Sequence, residues 1–346
     1  RNMVINGAMN VAQRSASVTG LGGASAYYTL DRWKLVSLST AGRLTMSQTA
    51  DGPNGISANC LKLDCTTADA SIAAGEILLL RQGMEGQNVQ RIGKGVAGAK
   101  QITVSFYVKA SAAFTFGVEL EDTDNSRQIT KLFATTTDWV RHSFVIAADE
   151  DDGSSAFADD NAESLRVSFI LHAGSNFTSG TLNTASFANT TNANRVPGID
   201  SFYSSTDNNF FLTGVQMEVG PVATEFEQED FGTTLAKCQR YYQKWLSDSV
   251  GDSVMTAAAI SDVAFIGDYF LKTSMRSVPT MGTSGTYKAR LKTNDRAITG
   301  QPSINRATTE NVQIFATIAT DNDESGFAGF LKTDDDDAFL EFIAEL

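Results

Sequence analysis

A chain of 346 residues, 42% apolar and only 19% charged, has material for a large folded core and, by length, for two domains. Its 40 acids against 27 bases give a formal net charge of −13, which excludes a basic footprint for nucleic-acid phosphates and any attraction to anionic membranes. No apolar run approaches the roughly 18 residues of a membrane-spanning helix, so membrane insertion is not expected.

Period two dominates the hydrophobic pattern, and strands are predicted over 30–37, 43–48, 60–65, 77–83, 101–111, 114–120, 129–135, 139–147, 165–172 and 211–219. In 101–111, Ile102, Val104, Phe106 and Val108 share one face, and Thr103, Ser105, Tyr107 and Lys109 share the other. Phe114, Phe116, Val118 and Leu120 repeat the inward pattern, as do Leu165, Val167, Phe169 and Leu171. Many short strands with turn-rich gaps predict an all-β fold, a jelly-roll β-sandwich over 1–232. Two long polar gaps interrupt it, at 148–163 and 175–209; gaps of this length usually serve an interface or a function. One linking helix follows over 233–246, with Leu235, Cys238, Tyr242 and Trp245 at helical spacing. A second, smaller antiparallel β domain is predicted over 247–346, with strands at 263–272, 286–292, 312–320, 326–331 and 338–344.

Motifs for bond-breaking chemistry are sparse. Gly93-Lys94-Gly95-Val96-Ala97-Gly98 matches GxGxxG, but the predicted element after it is a strand, so no helix N-terminus awaits a phosphate. The two histidines, His142 and His172, lack metal-ligand spacing and a GxSxG elbow, and are read as strand-surface residues. Cys60, Cys65 and Cys238 are odd in number and read as free thiols, with a Cys60–Cys65 bridge across a turn left open. No cofactor is expected. The acidic runs Asp149-Glu150-Asp151-Asp152 and Asp334-Asp335-Asp336-Asp337 carry the oxygens that a structural calcium prefers, without the EF-hand pattern, and are read as solvated loops. Glu119 and Glu218 are the acids on predicted strands that point outward, and a glycosidase would need such a pair.

Binding a sugar needs aromatic faces and planar polar groups on a wet sheet face or at its rim. The alternation places Tyr107, Lys109, Glu119, Arg166 and His172 off the core, with Gln216 and Glu218 opposite Val215, Met217 and Val219. These seven form the candidate glycan-binding cluster; the same face also suits packing on a second copy, the more ordinary of the two readings. Trp139 is ambiguous, because its strand has apolar groups on both faces. Tyr203, Asn208 and Phe210 offer an alternative site in the polar loops. Trp33 and the aromatic set Tyr241, Tyr242 and Trp245 read as core.

Short signatures recur in fixed order: Asn2-Met3-Val4-Ile5-Asn6-Gly7, Tyr28-Thr29-Leu30-Asp31-Arg32-Trp33, Phe211-Leu212-Thr213-Gly214-Val215-Gln216-Met217-Glu218-Val219-Gly220, Ala223-Thr224-Glu225-Phe226-Glu227 and Cys238-Gln239-Arg240-Tyr241-Tyr242-Gln243-Lys244-Trp245. A weaker echo continues in Thr273-Ser274-Met275-Arg276-Ser277-Val278-Pro279-Thr280 and Ala344-Glu345-Leu346. The series resembles the fibre or receptor-binding structural proteins of tailed bacteriophages, which carry a jelly-roll domain like that of carbohydrate-binding modules. The resemblance implies a non-catalytic virion surface protein, a tail fibre, spike or similar projection, that adheres to a host-surface glycan. It also implies a homotrimer assembled in the host cytoplasm. Because residue 1 is Arg, the resemblance further implies a preceding N-terminal segment that attaches to other virion proteins. Capsid decoration without receptor binding, polysaccharide depolymerisation and a secreted bacterial carbohydrate-binding module are the alternatives.

Overall fold

The computed structural model describes residues 2–150, 153–319 and 325–346. The chain divides into two compact units, residues 1–234 with Leu346, and residues 235–345.

The first unit is a sandwich of two antiparallel sheets, as the alternation predicts. Sheet I runs β1 (Ser17–Leu21), β4 (Arg43–Thr49), β5 (Cys60–Thr67), β13 (Asn209–Val219), β7 (Ile102–Ala110) and β10 (Val140–Ile146). Sheet II runs β12 (Ala188–Asn189), β9 (Arg127–Ala134), β8 (Thr115–Asp122), β11 (Glu163–Ala173), β6 (Ile77–Glu85), β3 (Lys34–Leu38) and β2 (Ala26–Tyr27). The inward sets meet as expected: Ile102, Val104, Phe106 and Val108 of sheet I bury against Phe116, Val118, Leu120, Leu165, Val167, Phe169 and Leu171 of sheet II. Phe106 stands edge-on to Phe169 at 4.9 Å and to Phe133 at 5.1 Å, the geometry that aromatic quadrupoles prefer. Phe114, at the rim, is only partly buried.

The signatures near the N-terminus are the lock of this sandwich. In β13 the residues facing β7 jump in register between Thr213 and Gln216, so one extra residue is accommodated. Gly214 sits at φ 61°, the left-handed conformation that a bulge of this kind requires and that glycine adopts without steric cost. The bulge resets the phase of the strand. Phe210 and Leu212 point inward before it, Val215 and Met217 after it. It also frees Val215 to pair with the N-terminal segment: its N–H donates to Gly7 O at 3.0 Å, while Asn2 Nδ2 donates to Val215 O at 3.0 Å. A side chain at Gly7 would place its Cβ 2.1 Å from Val215 O, so only glycine lets the two backbones approach this closely. Asn6 closes the next loop, with Nδ2 donating to Val11 O at 2.9 Å and to Asp31 O at 3.0 Å. The fully buried Arg32 donates to Gly83 O at 2.7 Å, tying this corner to β6. Trp33 and its neighbours are core, as the sequence reading expects.

Asp69 pins the β3–β4 connection to the segment after β5. Its carboxylate accepts from Thr40 Oγ1 at 3.0 Å, from the Ala41 N–H at 2.8 Å and from the Ser71 N–H at 3.3 Å. Burial opposes its charge, yet these donors together hold its pKa below the ordinary 3.8. A depressed acid stabilises the fold above its unfolded pKa and loses that contribution as pH falls through the folded value. Asp69→Asn is therefore expected to lower the melting temperature most at neutral pH, with the gap to wild type closing below about pH 4; thermal scans across pH measure it, and a gap independent of pH would count against the assignment.

The second unit is β throughout its body. β15 (Ser253–Ala259), β16 (Ala264–Phe270), β20 (Asn311–Ile318), β19 (Asn294–Ala307), β18 (Tyr287–Leu291) and β21 (Ala328–Thr333) close into a barrel, filled by Phe265, Leu291, Val312, Ile314 and Leu331. A three-stranded sheet accompanies it, β14 (Tyr242–Leu246), β22 (Phe339–Ile343) and β17 (Thr280–Ser284). Five of these nine strands, β16, β18, β20, β21 and β22, answer to expected ones; β14, β15, β17 and β19 do not. The predicted linking helix needs correction: it spans Phe231–Gln239, and Tyr242 and Trp245 lie instead on β14, paired with Ile343 and Leu340. Thr320, the last residue predicted for the 312–320 strand, lies outside the described residues.

Candidate functional site

The seven predicted site residues do not form one exposed cluster. Tyr107, Lys109, Gln216 and Glu218 belong to sheet I, while Glu119, Arg166 and His172 belong to sheet II. Four of the seven are buried, which corrects the expectation that they face solvent.

Each of the four is held in a network. Glu119 lies beneath Arg195, whose Nε and Nη2 reach its two oxygens at 2.8 and 2.5 Å. Burial pushes the Glu119 pKa up, against the pull of Arg195. His172 is fixed between Glu76 Oε2 at 2.9 Å and Ser201 Oγ at 2.7 Å. An acid, an imidazole and a hydroxyl in a row are the elements of a nucleophilic triad, but Ser201 Oγ also accepts the Tyr203 N–H at 3.2 Å as a helix cap, and the imidazole has no exposed surface. This arrangement reads as a strut joining three segments. His142 is half-buried, stacked on Phe144, with Nε2 2.8 Å from Ala134 O. Neither histidine is the surface residue the sequence suggested.

Gln216 and Glu218 point outward from sheet I, as predicted, but a strap covers them. Glu218 accepts from the Thr224 N–H at 2.9 Å and from Thr224 Oγ1 at 2.8 Å; Gln216 accepts from the Glu227 N–H at 2.8 Å. The Ala223-to-Glu227 signature is thus the lid that these two residues fasten. Glu119 and Glu218 lie on different sheets in separate networks and do not flank a cleft as a glycosidase pair would.

Beyond the strap the outer face of sheet I is partly exposed, and here the sequence reading named Tyr107 and Lys109, left Trp139 ambiguous and missed Lys62 and Phe211. Lys62 of β5, Phe211 of β13 and Lys109 of β7 stand opposite one another across the strands, with Trp139 just before β10. The Phe211 and Trp139 rings meet nearly perpendicularly at 6.3 Å. Lys109 Nζ sits 4.7 Å from the Phe211 centroid and 5.3 Å from that of Trp139, and is anchored by Asp51 Oδ2 at 2.6 Å. Trp139 Nε1 donates to Asp51 O at 3.1 Å. In the next row Tyr107 lies under the Arg141 guanidinium at 5.8 Å, in space left by Gly214. Half-exposed aromatic faces bordered by ammonium, guanidinium and carboxylate groups make an amphipathic strip across four strands. The phase of β13 was the available signal: with Phe210 inward, Phe211 must point out.

The alternative loop site is also corrected, since Tyr203, Asn208 and Phe210 are all buried. Of the acidic runs, Asp149 pairs with Lys94 at 3.1 Å and with Arg127 at 2.5 Å, and Asp334 pairs with Lys288 at 2.5 Å. Asp151 and Asp152 lie outside the described residues. Among the described residues no group of three or more His, Cys, Asp or Glu side chains is arranged to hold a metal ion.

No family model and no curated protein matches the chain. Similar solved structures include the enzymatically active domain of tailspike protein 4 from bacteriophage CBA120, at 10% identity and TM-score 0.32, covering 63% of this chain and 21% of that one. TmCBM61 in complex with β-1,4-galactotriose matches at 9% identity and TM-score 0.32, covering 63% and 99%. A family 11 carbohydrate-binding module from Clostridium thermocellum in complex with a mixed-linked tetrasaccharide matches at 9% identity and TM-score 0.29, covering 60% and 98%. At these values none of the likenesses assigns a residue or an activity to this chain.

Proposed function

We propose that the chain is a non-catalytic glycan-adhesion protein of a phage virion surface, a fibre, spike or comparable projection, and that the strip of Trp139, Phe211, Tyr107 and Lys109 on sheet I contacts the sugar. The single observation that carries the reading is this strip: apolar ring faces suit the C–H side of a pyranose, while Lys109, Arg141 and Asp51 suit its hydroxyls. The phage setting is supported by the signature series, whose members at 2–7, 28–33, 211–220 and 223–227 hold the sandwich together. A homotrimer belongs to the same reading; three weak sites on one particle would act together through effective concentration.

A glycan array probed with the isolated chain tests the proposal. Retention of one glycan class on the array is expected. Retention of none, together with tight association through the Trp139 face in solution, would assign the strip to packing between copies and favour capsid decoration.

A further inference from the structure

We propose that the outer face of sheet II holds a second sugar subsite, selective for anions, in which Arg81 with Ser168 takes the carboxylate of an acidic polysaccharide. The register sets the residues in a row: Tyr27 of β2 opposes Lys34 of β3, Lys34 opposes Arg81 of β6, and Arg81 opposes Ser168 of β11. All lie on the outer face, because Leu35, Leu80, Val167 and Phe169 of the same strands are core.

Arg166 and Arg81, neighbours on this face, differ in what they bind. Arg166 is held by two carboxylates, with Nε 2.7 Å and Nη2 2.6 Å from Glu163 Oε2 and Nη1 3.2 Å from Glu121 Oε2. Glu163 can reach it because Gly83 leaves open the space its carboxylate occupies. Among the described residues no hydrogen bond or ion pair engages the Arg81 guanidinium. Beside it the Ser168 hydroxyl is fully buried and also without a partner. The Arg81 guanidinium feels the charges of Glu163 and Glu121 but is hydrogen-bonded to neither; a half-buried guanidinium and a buried hydroxyl, both without a hydrogen bond, are costly to leave so, and an oxyanion placed between them would supply both. Burial, with the like charge of Arg166, holds the Arg81 pKa below its ordinary value against the opposing pull of Glu163, Glu121 and Tyr27.

The planar fork of Arg81 matches a carboxylate. Tyr27, two strand spacings or about 10 Å away, supplies a ring in the same row, a span comparable to two linked pyranoses. These features together point to a uronate-bearing chain. The site is separate from the strip on sheet I, so either assignment can fail without the other.

The test is calorimetric titration of the full chain with an oligogalacturonate, a neutral galactose oligomer of equal length, and inorganic sulfate. The oligogalacturonate is expected to bind, the neutral oligomer to bind at least tenfold more weakly, and Arg81→Gln to weaken the oligogalacturonate at least tenfold. Should that variant fail to fold, the Arg81 Nε–H resonance of the wild-type protein is followed by NMR, and it is expected to shift on adding oligogalacturonate. Equal binding of charged and neutral oligomers, no effect of Arg81→Gln, or an unmoved Arg81 resonance would overturn the proposal. Sulfate binding as tightly as the oligomer would overturn its polysaccharide part.

Discussion

Trp33→Ala is expected to lower the unfolding free energy by about 3–5 kcal/mol, the usual cost of deleting a buried large aromatic side chain. Trp33 is fully buried, its ring is 6.1 Å from that of Phe169, and its Nε1 donates to Asn6 O at 3.3 Å. The substitution removes more than apolar area. It opens a cavity between the two sheets and strips a partner from Asn6, the residue that organises the N-terminal lock. Phe169, which packs on it, lies on β11, fixed by ladders to β6 and β8, so this wall has little freedom to collapse. Urea unfolding followed by fluorescence or circular dichroism measures the loss. A cost below about 1 kcal/mol, the range of a surface substitution, would mean that this corner is not the keystone described.

Arg195→Ala is expected to cost a comparable amount, about 3–5 kcal/mol, because it leaves Glu119 fully buried with its ionic partner gone. The sign of the pH dependence follows from burial, which already raises the Glu119 pKa. An acid whose folded pKa is raised keeps its proton in the folded chain at a pH where the unfolded chain has released it, so stability falls as pH rises from the unfolded pKa through the folded one. Removing Arg195 raises that folded value further. The deficit should therefore be smallest near pH 4 and grow toward pH 7. Glu119→Gln in the Arg195→Ala background should recover much of it, since a neutral amide costs less to bury than a charge. A deficit that is flat with pH, with no recovery in the double variant, would show that Arg195 acts through packing alone.

The sandwich was legible in the sequence wherever a strand is local and amphipathic. In β7, β8 and β11 the alternation named the inward residues, and the structure buries them. The phase of β13 beyond Gly214 was also readable, since Val215 and Met217 point in while Gln216 and Glu218 point out. Alternation assigns a face, however, and is silent on what covers that face. Gln216 and Glu218 face outward yet are sealed by residues 224–227, and Glu119 faces outward yet is sealed by Arg195, 76 residues away. The candidate cluster failed for this reason. The helix was misread for a related one: Tyr242 to Trp245 fit helical spacing, but β14 is formed by pairing with β22, about 100 residues distant and invisible to a local window. In the strip, Tyr107 and Lys109 were identified; Trp139 stayed ambiguous because its strand carries apolar groups on both faces, and Phe211 was passed over although the phase of β13 turns it outward.

On the proposed reading, the half-exposed rings on sheet I, and not the buried polar networks, meet the sugar. Titrating the array-selected glycan into Trp139→Ala and Phe211→Ala measures this directly. The account predicts at least a tenfold loss of affinity in each, about 1.4 kcal/mol, with the melting temperature nearly unchanged. Affinity equal to wild type in both variants would contradict it.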